Sequence, residues 1–225
     1  MALIELRSVT KIYPLGNQQV VAVKDFSLQI GAGEFCVLAG PSGSGKTTIL
    51  NLIGCLDQPT SGEVWLEGQN MNRATQKSLA ETRLNKIGFI FQSFNLIPVL
   101  TAAENAEFTL MLLGVDKVQR RAKVLRIFAE LGLDGLENRK PSDLSGGQQQ
   151  RVAIARAMAA QPAVILADEP TASLDSRASE ELLTLMQKLN EEQGATFVFS
   201  SHDPLVIAHA KRVMRLLDGQ LDSDQ

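Results

Sequence analysis

Apolar positions recur with two different periods along this 225-residue chain, and the change from one to the other marks its parts. Leu3 to Ile12 and Val20 to Ile30 alternate loosely and are rich in β-branched residues, so each predicts a strand. Pro14-Leu15-Gly16-Asn17 is the expected turn between them. After a second turn at Gly31-Ala32-Gly33-Glu34, Phe35–Ala39 is apolar without a break, the pattern of a short buried strand. Further strands are expected at Glu63–Glu67, Ile87–Phe91, Ala163–Ala167 and Thr196–Phe199. Val213–Leu217 and Gln220-Leu221 read as a hairpin across Asp218-Gly219. From about Asn95 to Ala160 the helical period takes over. Val124, Ile127, Phe128 and Leu131 form one stripe there, which core packing explains. Leu182, Leu185, Met186 and Leu189 form another, ended by Gly194. Strands alternating with helices predict the α/β class with a largely parallel sheet, the 95–160 stretch being inserted into it.

Composition narrows this only by exclusion. Hydrophobic content of 44% with 21% charged residues is that of an ordinary globular protein with room for a large core. A net charge of -3 with interspersed signs gives no nucleic-acid-coating surface. Met1 to Glu5 lacks the basic and apolar regions of a secretory signal, and no apolar run approaches the ~20 residues of a membrane span. A cytoplasmic location is therefore expected, any membrane role requiring another polypeptide. Cys36 and Cys55 flank one loop, in a strand and a helix, and are expected as buried thiols.

That loop carries the first chemistry. Gly40-Pro41-Ser42-Gly43-Ser44-Gly45-Lys46-Thr47 reads G-x-x-x-x-G-K-[ST], between the Phe35–Ala39 strand and the apolar, helix-compatible Thr48–Ile53. Its glycines let backbone N–H groups wrap a polyphosphate at the positive end of a helix. Lys46 would reach the β- and γ-phosphates, and the Thr47 hydroxyl would ligate Mg²⁺. A glycine-rich turn alone would match the pattern in about one chain in a hundred at usual glycine frequencies. The strand-before, helix-after setting makes nucleotide binding the stronger reading.

Two later stretches refine it. Asp168-Glu169 ends an apolar strand, where Asp168 would orient the metal and Glu169 would polarise an attacking water. Leu144-Ser145-Gly146-Gly147-Gln148 opens a helix expected over Gln148–Ala160, a second anion-seeking N-terminus or simply a serine-capped helix start. The pentapeptide arises by chance in only a few chains per ten thousand at typical frequencies. Two phosphate-seeking sites of different design do not suit a kinase or a GTPase, and no guanine-reading N-K-x-D motif is recognisable.

With these residues in their order, the chain resembles the ATP-binding-cassette (ABC) ATPases over nearly its whole length. Gly40–Thr47 is similar to Walker A, Leu144–Gln148 to the signature motif and Val164–Asp168 to Walker B. Glu169 stands in the position of the catalytic glutamate, and Tyr13 in that of the aromatic that stacks on adenine. Gln92 resembles the Q-loop glutamine, Ser173-Leu174-Asp175 the D-loop and His202 the switch histidine. The resemblance implies one P-loop NTPase domain over 1–225, with a mainly parallel core sheet, an N-terminal antiparallel β-subdomain and a helical subdomain at about 95–160. It further implies a head-to-tail homodimer, each ATP lying between Walker A with Thr48 of one protomer and Ser145–Gln148 with Asp175 of the other. Thr47, Asp168 and Gln92 would serve Mg²⁺, while Lys46, Gln92, Glu169 and His202 would serve catalysis.

A narrower resemblance rests on Gly54–Gly62, Phe91–Pro98, Thr101–Asn105 and Ile165–Glu169, which look like the lipoprotein-release and macrolide-efflux (MacB-type) branch. Ala172 stands where that branch usually has glycine, and Ser201 where threonine commonly precedes the histidine. The branch implies separate membrane subunits with periplasmic domains, and no nucleic-acid partner. The cassette would then drive export or envelope-related transport from the inner face of the membrane. A cassette that signals across the membrane without transport is the alternative. Soluble relatives acting on ribosomes or DNA usually carry tandem cassettes, coiled coils or basic surfaces, none of which is legible here.

Overall fold

The computed structural model describes residues 2–16 and 18–225. Two long strands, β1 (Ala2–Leu15) and β2 (Gln18–Gly31), open the chain and pair antiparallel through a bulged register. The expected turn is shorter than Pro14–Asn17, because Pro14 and Leu15 belong to β1; Asn17 lies outside the described residues. Pro14 is tolerated because β1 pairs with its second neighbour only as far as Thr10, so its missing N–H breaks no ladder on that side. β3 (Phe35–Ala39) leads through the glycine-rich loop into α1 (Lys46–Ile53). Next come β4 (Ser61–Leu66), the two-residue β5 (Gln69–Asn70), α2 (Gln76–Lys86) and β6 (Ile87–Ile90). Three helices follow: α3 (Ala102–Leu112), α4 (Lys117–Glu130) and α5 (Gly146–Ala159). The chain then runs through β7 (Val164–Asp168), α6 (Ser176–Gln193), β8 (Phe197–Ser201), α7 (Pro204–His209), β9 (Arg212–Leu217) and β10 (Gln220–Asp224).

The strands form two sheets. One is antiparallel, in the order β2-β1-β4-β5; the other runs β10-β9-β3-β8-β7-β6 and is parallel except at the β10 edge. Period-two alternation sorts the parallel sheet into two faces. Phe35, Val37, Ala39, Ile165, Ala167, Phe197 and Phe199 face a core completed by α3–α6. Cys36, Leu38, Val164, Leu166, Val198 and Met214 face the other, filled by α1 and the antiparallel sheet. All of Phe35–Ala39 is buried, which is why the sequence is apolar there without alternation. Both cysteines are free and buried, and burial pushes the Cys36 thiol up to about 12 and Cys55 up to about 11.

The helical insertion departs from expectation at its start. Residues Asn95–Leu100 are not helical, and α3 begins only at Ala102, behind a capping box between Thr101 and Glu104. The buried Asn105 amide holds that approach open as a loop. It accepts from Ile97 N at 2.7 Å and donates to the Ile97, Leu100 and Thr101 carbonyls at 3.0–3.2 Å. The Val124, Ile127, Phe128 and Leu131 stripe is buried core, as read. Helices α2 and α7 carry no apolar stripe long enough to have been read.

Candidate functional site

Strand order gathers the motifs. β3, β8, β7 and β6 lie side by side and parallel, so the loops leaving their carboxyl ends share one edge of the sheet, where ligands of open α/β sheets bind. Those loops bring the glycine-rich segment, His202, Asp168-Glu169 and Gln92 together from distant parts of the chain. They line one open cleft of about 420 Å³, with Lys46, Thr47 and Thr48 at its base.

The loop after β3 holds its shape through backbone contacts. Gly45 has φ +102°, and a Cβ there would stand 2.5 Å from the Ala22 carbonyl, so only glycine fits. Lys46 is 7% exposed, and its ammonium donates to the carbonyls of Gly40 at 2.7 Å and Pro41 at 2.9 Å. The first turn of α1 has no side-chain cap, which leaves its leading N–H groups without intrahelical acceptors. Ser44 Oγ is likewise buried with no hydrogen-bond partner among the described residues. The cleft floor thus presents the leading N–H groups of α1 beside the Lys46 ammonium.

Acids and their partners form the opposite wall. Thr47 Oγ1 donates to Asp168 Oδ1 at 3.1 Å, and Ser200 Oγ donates to the same oxygen at 2.7 Å. Glu169 has left-handed backbone, φ +45°, which turns its carboxylate out of the sheet into the cleft. One of its oxygens accepts from Ser201 Oγ at 2.9 Å and the other lies 2.7 Å from His202 Nδ1. A carboxylate only accepts, so Nδ1 carries the proton in that pair.

Ser145–Gln148 do not reach this cleft. They line a second one of about 360 Å³ with Asp175, at the N-terminus of α5. Ser145 and Gln148 close that terminus with a reciprocal capping box, Gln148 N donating to Ser145 Oγ and Ser145 N to Gln148 Oε1. Asp175 caps α6 through Ala178 N at 2.8 Å. Tyr13 lines neither cleft. It is the cross-strand partner of Val20, which does line the first, and its hydroxyl donates to Asp57 at 2.7 Å. Burial and that bond raise the Tyr13 phenol. Burial alone would raise Asp57, but hydrogen bonds from Lys11 and Tyr13 outweigh it and hold the carboxyl below its usual range.

Residues 23–172 match the family described as ABC transporter. The chain belongs to that family. It is an ABC-type ATPase cassette with the P-loop fold, an antiparallel sheet beside a mainly parallel one. An ABC transporter ATP-binding protein of Methanocaldococcus jannaschii, MJ0796, is 47% identical over 229 residues, covering 99% of this chain and 97% of its own. The macrolide export protein MacB of Salmonella typhimurium is 44% identical over 98% of this chain, which spans 34% of that longer ATP-binding and permease protein. A solved dimer of MJ0796 in a post-hydrolysis state, bound to ADP and phosphate, superposes with a TM-score of 0.91 at 46% identity. A second dimeric MJ0796 structure gives 0.92.

Three features of the cassette site were not readable from its motifs. Val20 and Val21, 45% and 48% exposed, give the first cleft an apolar lip. Ser173 Oγ donates to the Gln92 carbonyl at 3.0 Å, tying the D-loop to the residue expected to sense the metal. The Arg156 guanidinium, mostly buried and lowered in pKa by that burial, holds the Phe94 and Asn95 carbonyls just beyond Gln92.

Proposed function

We propose that the 225 residues act as one domain, the ATP-hydrolysing subunit of an export-type ABC system, working as a head-to-tail homodimer on separate membrane subunits. The single observation that carries the two-chain site is the separation of the clefts. One chain holds an uncapped, donor-rich helix start with its acids and histidine, and elsewhere a signature helix start facing none of them. A second copy is the simplest source of the missing half. The dimeric MJ0796 structures support that arrangement.

In this reading the triphosphate lies on the loop Gly40–Thr47 and the first amides of α1, and Lys46 leaves the Gly40 and Pro41 carbonyls for the β- and γ-oxygens. Adenine rests on the Tyr13 side of the cleft, against Val20 and Val21. Thr47 Oγ1 and Asp168 Oδ1, 3.1 Å apart, are hard oxygen donors of the kind Mg²⁺ takes, with Gln92 beside them, so the residues present fit the ion. When bound, Mg²⁺ would neutralise charge on the phosphate oxygens. Glu169 accepts a proton from the attacking water, and Ser201 and His202 fix the direction of its lone pairs. The free Nε2 of His202 faces the γ-phosphate. Ser145, Gly146, Gly147 and Gln148 of the second copy cap that phosphate, with its Asp175 beside them.

If each site takes both halves from different chains, Lys46→Ala and Ser145→Arg chains should each be nearly inactive. Mixed dimers should regain one working site each. Activity of the mixture, measured with heterodimer formation shown by tagged pull-down, checks this; heterodimers without recovery would remove the two-chain site.

The membrane subunit, for which MacB supplies the precedent of ATP-binding and permease parts in one protein, would dock just after Gln92. There the loop Phe94–Leu100 is pinned by Asn105 and Arg156, yet Val99 is 75% exposed. An apolar side chain on a fixed loop just after Gln92 suits a partner's cytoplasmic helix. Val99→Asp should abolish co-purification with the membrane subunit and leave the melting temperature of the isolated cassette unchanged, since the charge would sit in water. Leu96 packs against the core and would confuse the test. An intact complex with Val99→Asp moves the dock elsewhere. Such docking would hold the cassette at the inner face of the membrane; among the described residues no helix is long and apolar enough to cross it.

A further inference from the structure

Gln150 lies one turn into α5, immediately behind the signature residues, and is fully buried. Its Nε2 donates to the Pro170 carbonyl at 2.6 Å. Its Oε1 is buried with no hydrogen-bond partner among the described residues. The opposite amide assignment would set two oxygens 2.6 Å apart, so the orientation is determined by chemistry. The carboxamide therefore does more than fill space: it satisfies the buried Pro170 carbonyl at the cost of its own orphaned oxygen, and an apolar side chain of the same shape would only move the orphan to Pro170.

The acceptor it finds is informative. Pro170 follows Glu169, the residue with left-handed backbone that aims its carboxylate into the first cleft. Within the turn after β7, the Glu169 carbonyl accepts from Ala172 N at 3.2 Å and the Thr171 carbonyl from Leu174 N at 2.9 Å. The Pro170 carbonyl between them is held by Gln150 and so by α5. Ser201 and His202 hold the Glu169 carboxylate from β8, and Gln150 holds its backbone from the signature helix.

We infer that Gln150 is a positioning residue that ties the signature end of α5 to the turn carrying Glu169. Through this tie, engagement of the signature by the nucleotide on a second copy sets the placement of the proton acceptor within its own chain. This rests on the two-chain reading with Glu169 as general base. It adds a direct hydrogen-bonded connection between the two sites of a dimer. The signature of a chain serves the partner's nucleotide while its Glu169 serves its own.

The test uses the full chain with Gln150→Met and Gln150→Glu, beside the parent and Glu169→Gln. Gln150→Met keeps the volume and removes both the donor and the orphan. It should lower kcat about 10- to 100-fold, as a misplaced catalytic group does, with KM for ATP within about twofold of the parent and a melting temperature within about 5 °C of it, since the Pro170 carbonyl becomes the orphan in place of Gln150 Oε1. Gln150→Glu puts a buried carboxyl against a carbonyl, where desolvation favours the protonated form. That form donates to Pro170 and the ionised form repels it. The ratio of this variant's kcat to the parent's should therefore rise as pH is lowered from about 8.5 to about 6.5. A Gln150→Met enzyme at parental kcat, with Glu169→Gln inactive, overturns the inference and leaves the base reading standing. Parental turnover by Glu169→Gln overturns the base reading instead. If Gln150→Met loses stability along with activity, the Gln150→Glu ratio decides, and a ratio flat with pH overturns the inference.

Discussion

Lys46→Ala should abolish tight ATP binding while leaving the cassette folded. The ammonium is the one side-chain cation at the base of the first cleft among the described residues, and its present acceptors, the Gly40 and Pro41 carbonyls, belong to the loop itself. It is therefore held ready at short range, and its transfer to phosphate oxygens would need little rearrangement. Truncating one partner of a buried, hydrogen-bonded charge pair costs about 2–5 kcal/mol, or roughly 30- to 4,000-fold in Kd. The cost to the fold should be small. Alanine is the better helix former in the first turn of α1, and Gly40 and Pro41 are not buried, so water can replace the lost donor. Titration calorimetry with ATP, together with a thermal melt, checks both halves. Parental affinity in a folded variant would remove Lys46 from the nucleotide site.

The parts of this protein that could be read in its sequence are those where one residue's surroundings are local. Phe35–Ala39 and Val164–Ala167 are buried on both faces, and their unbroken apolar runs reported it. The Gly45 turn is set by its own φ and by the strand beside it, so the glycine spacing alone marked the loop. Helix α2 was invisible because it buries only Leu79, and one apolar residue has no period. Helix α7 had its signals, Asp203 as cap and Pro204 in the first turn, but six residues are too few for a stripe. At the site, motif order selected Lys46, Asp168, Glu169, Gln92 and His202, which share the first cleft, and Ser145–Gln148 with Asp175, which share the second. What local pattern does not carry is the long-range tie. Arg156 to Phe94, Ser173 to Gln92 and Gln150 to Pro170 join polar groups 62, 81 and 20 residues apart. Tyr13 adds another such tie: its hydroxyl donates to Asp57, 44 residues away, while its strand pairing sets it opposite Val20 at the lip of the first cleft.

Glu169→Gln should bind ATP at near-parental affinity and hydrolyse it about 10²- to 10⁴-fold more slowly, the range for losing a positioned general base. The substitution is nearly isosteric, so the left-handed backbone at Glu169 and the Gln150 bond to Pro170 should be kept. One amide oxygen can still accept from Ser201 Oγ or from His202 Nδ1, now 2.9 and 2.7 Å from the two carboxylate oxygens, but the NH₂ group must face the other partner. Ser201 can turn its hydroxyl to accept, whereas His202 carrying a proton on Nδ1 cannot, so the oxygen should go to the histidine. The site then keeps its shape and loses only its proton acceptor. With binding intact and turnover removed, ATP stays between the chains, and the dimer that it joins should accumulate. Size-exclusion chromatography with Mg²⁺ and ATP should show a shift from monomer to dimer in Glu169→Gln that Lys46→Ala does not show. Parental phosphate release by Glu169→Gln would move the base to another residue. A variant that is slow yet remains monomeric with ATP bound would keep the base and argue against nucleotide as the link between chains.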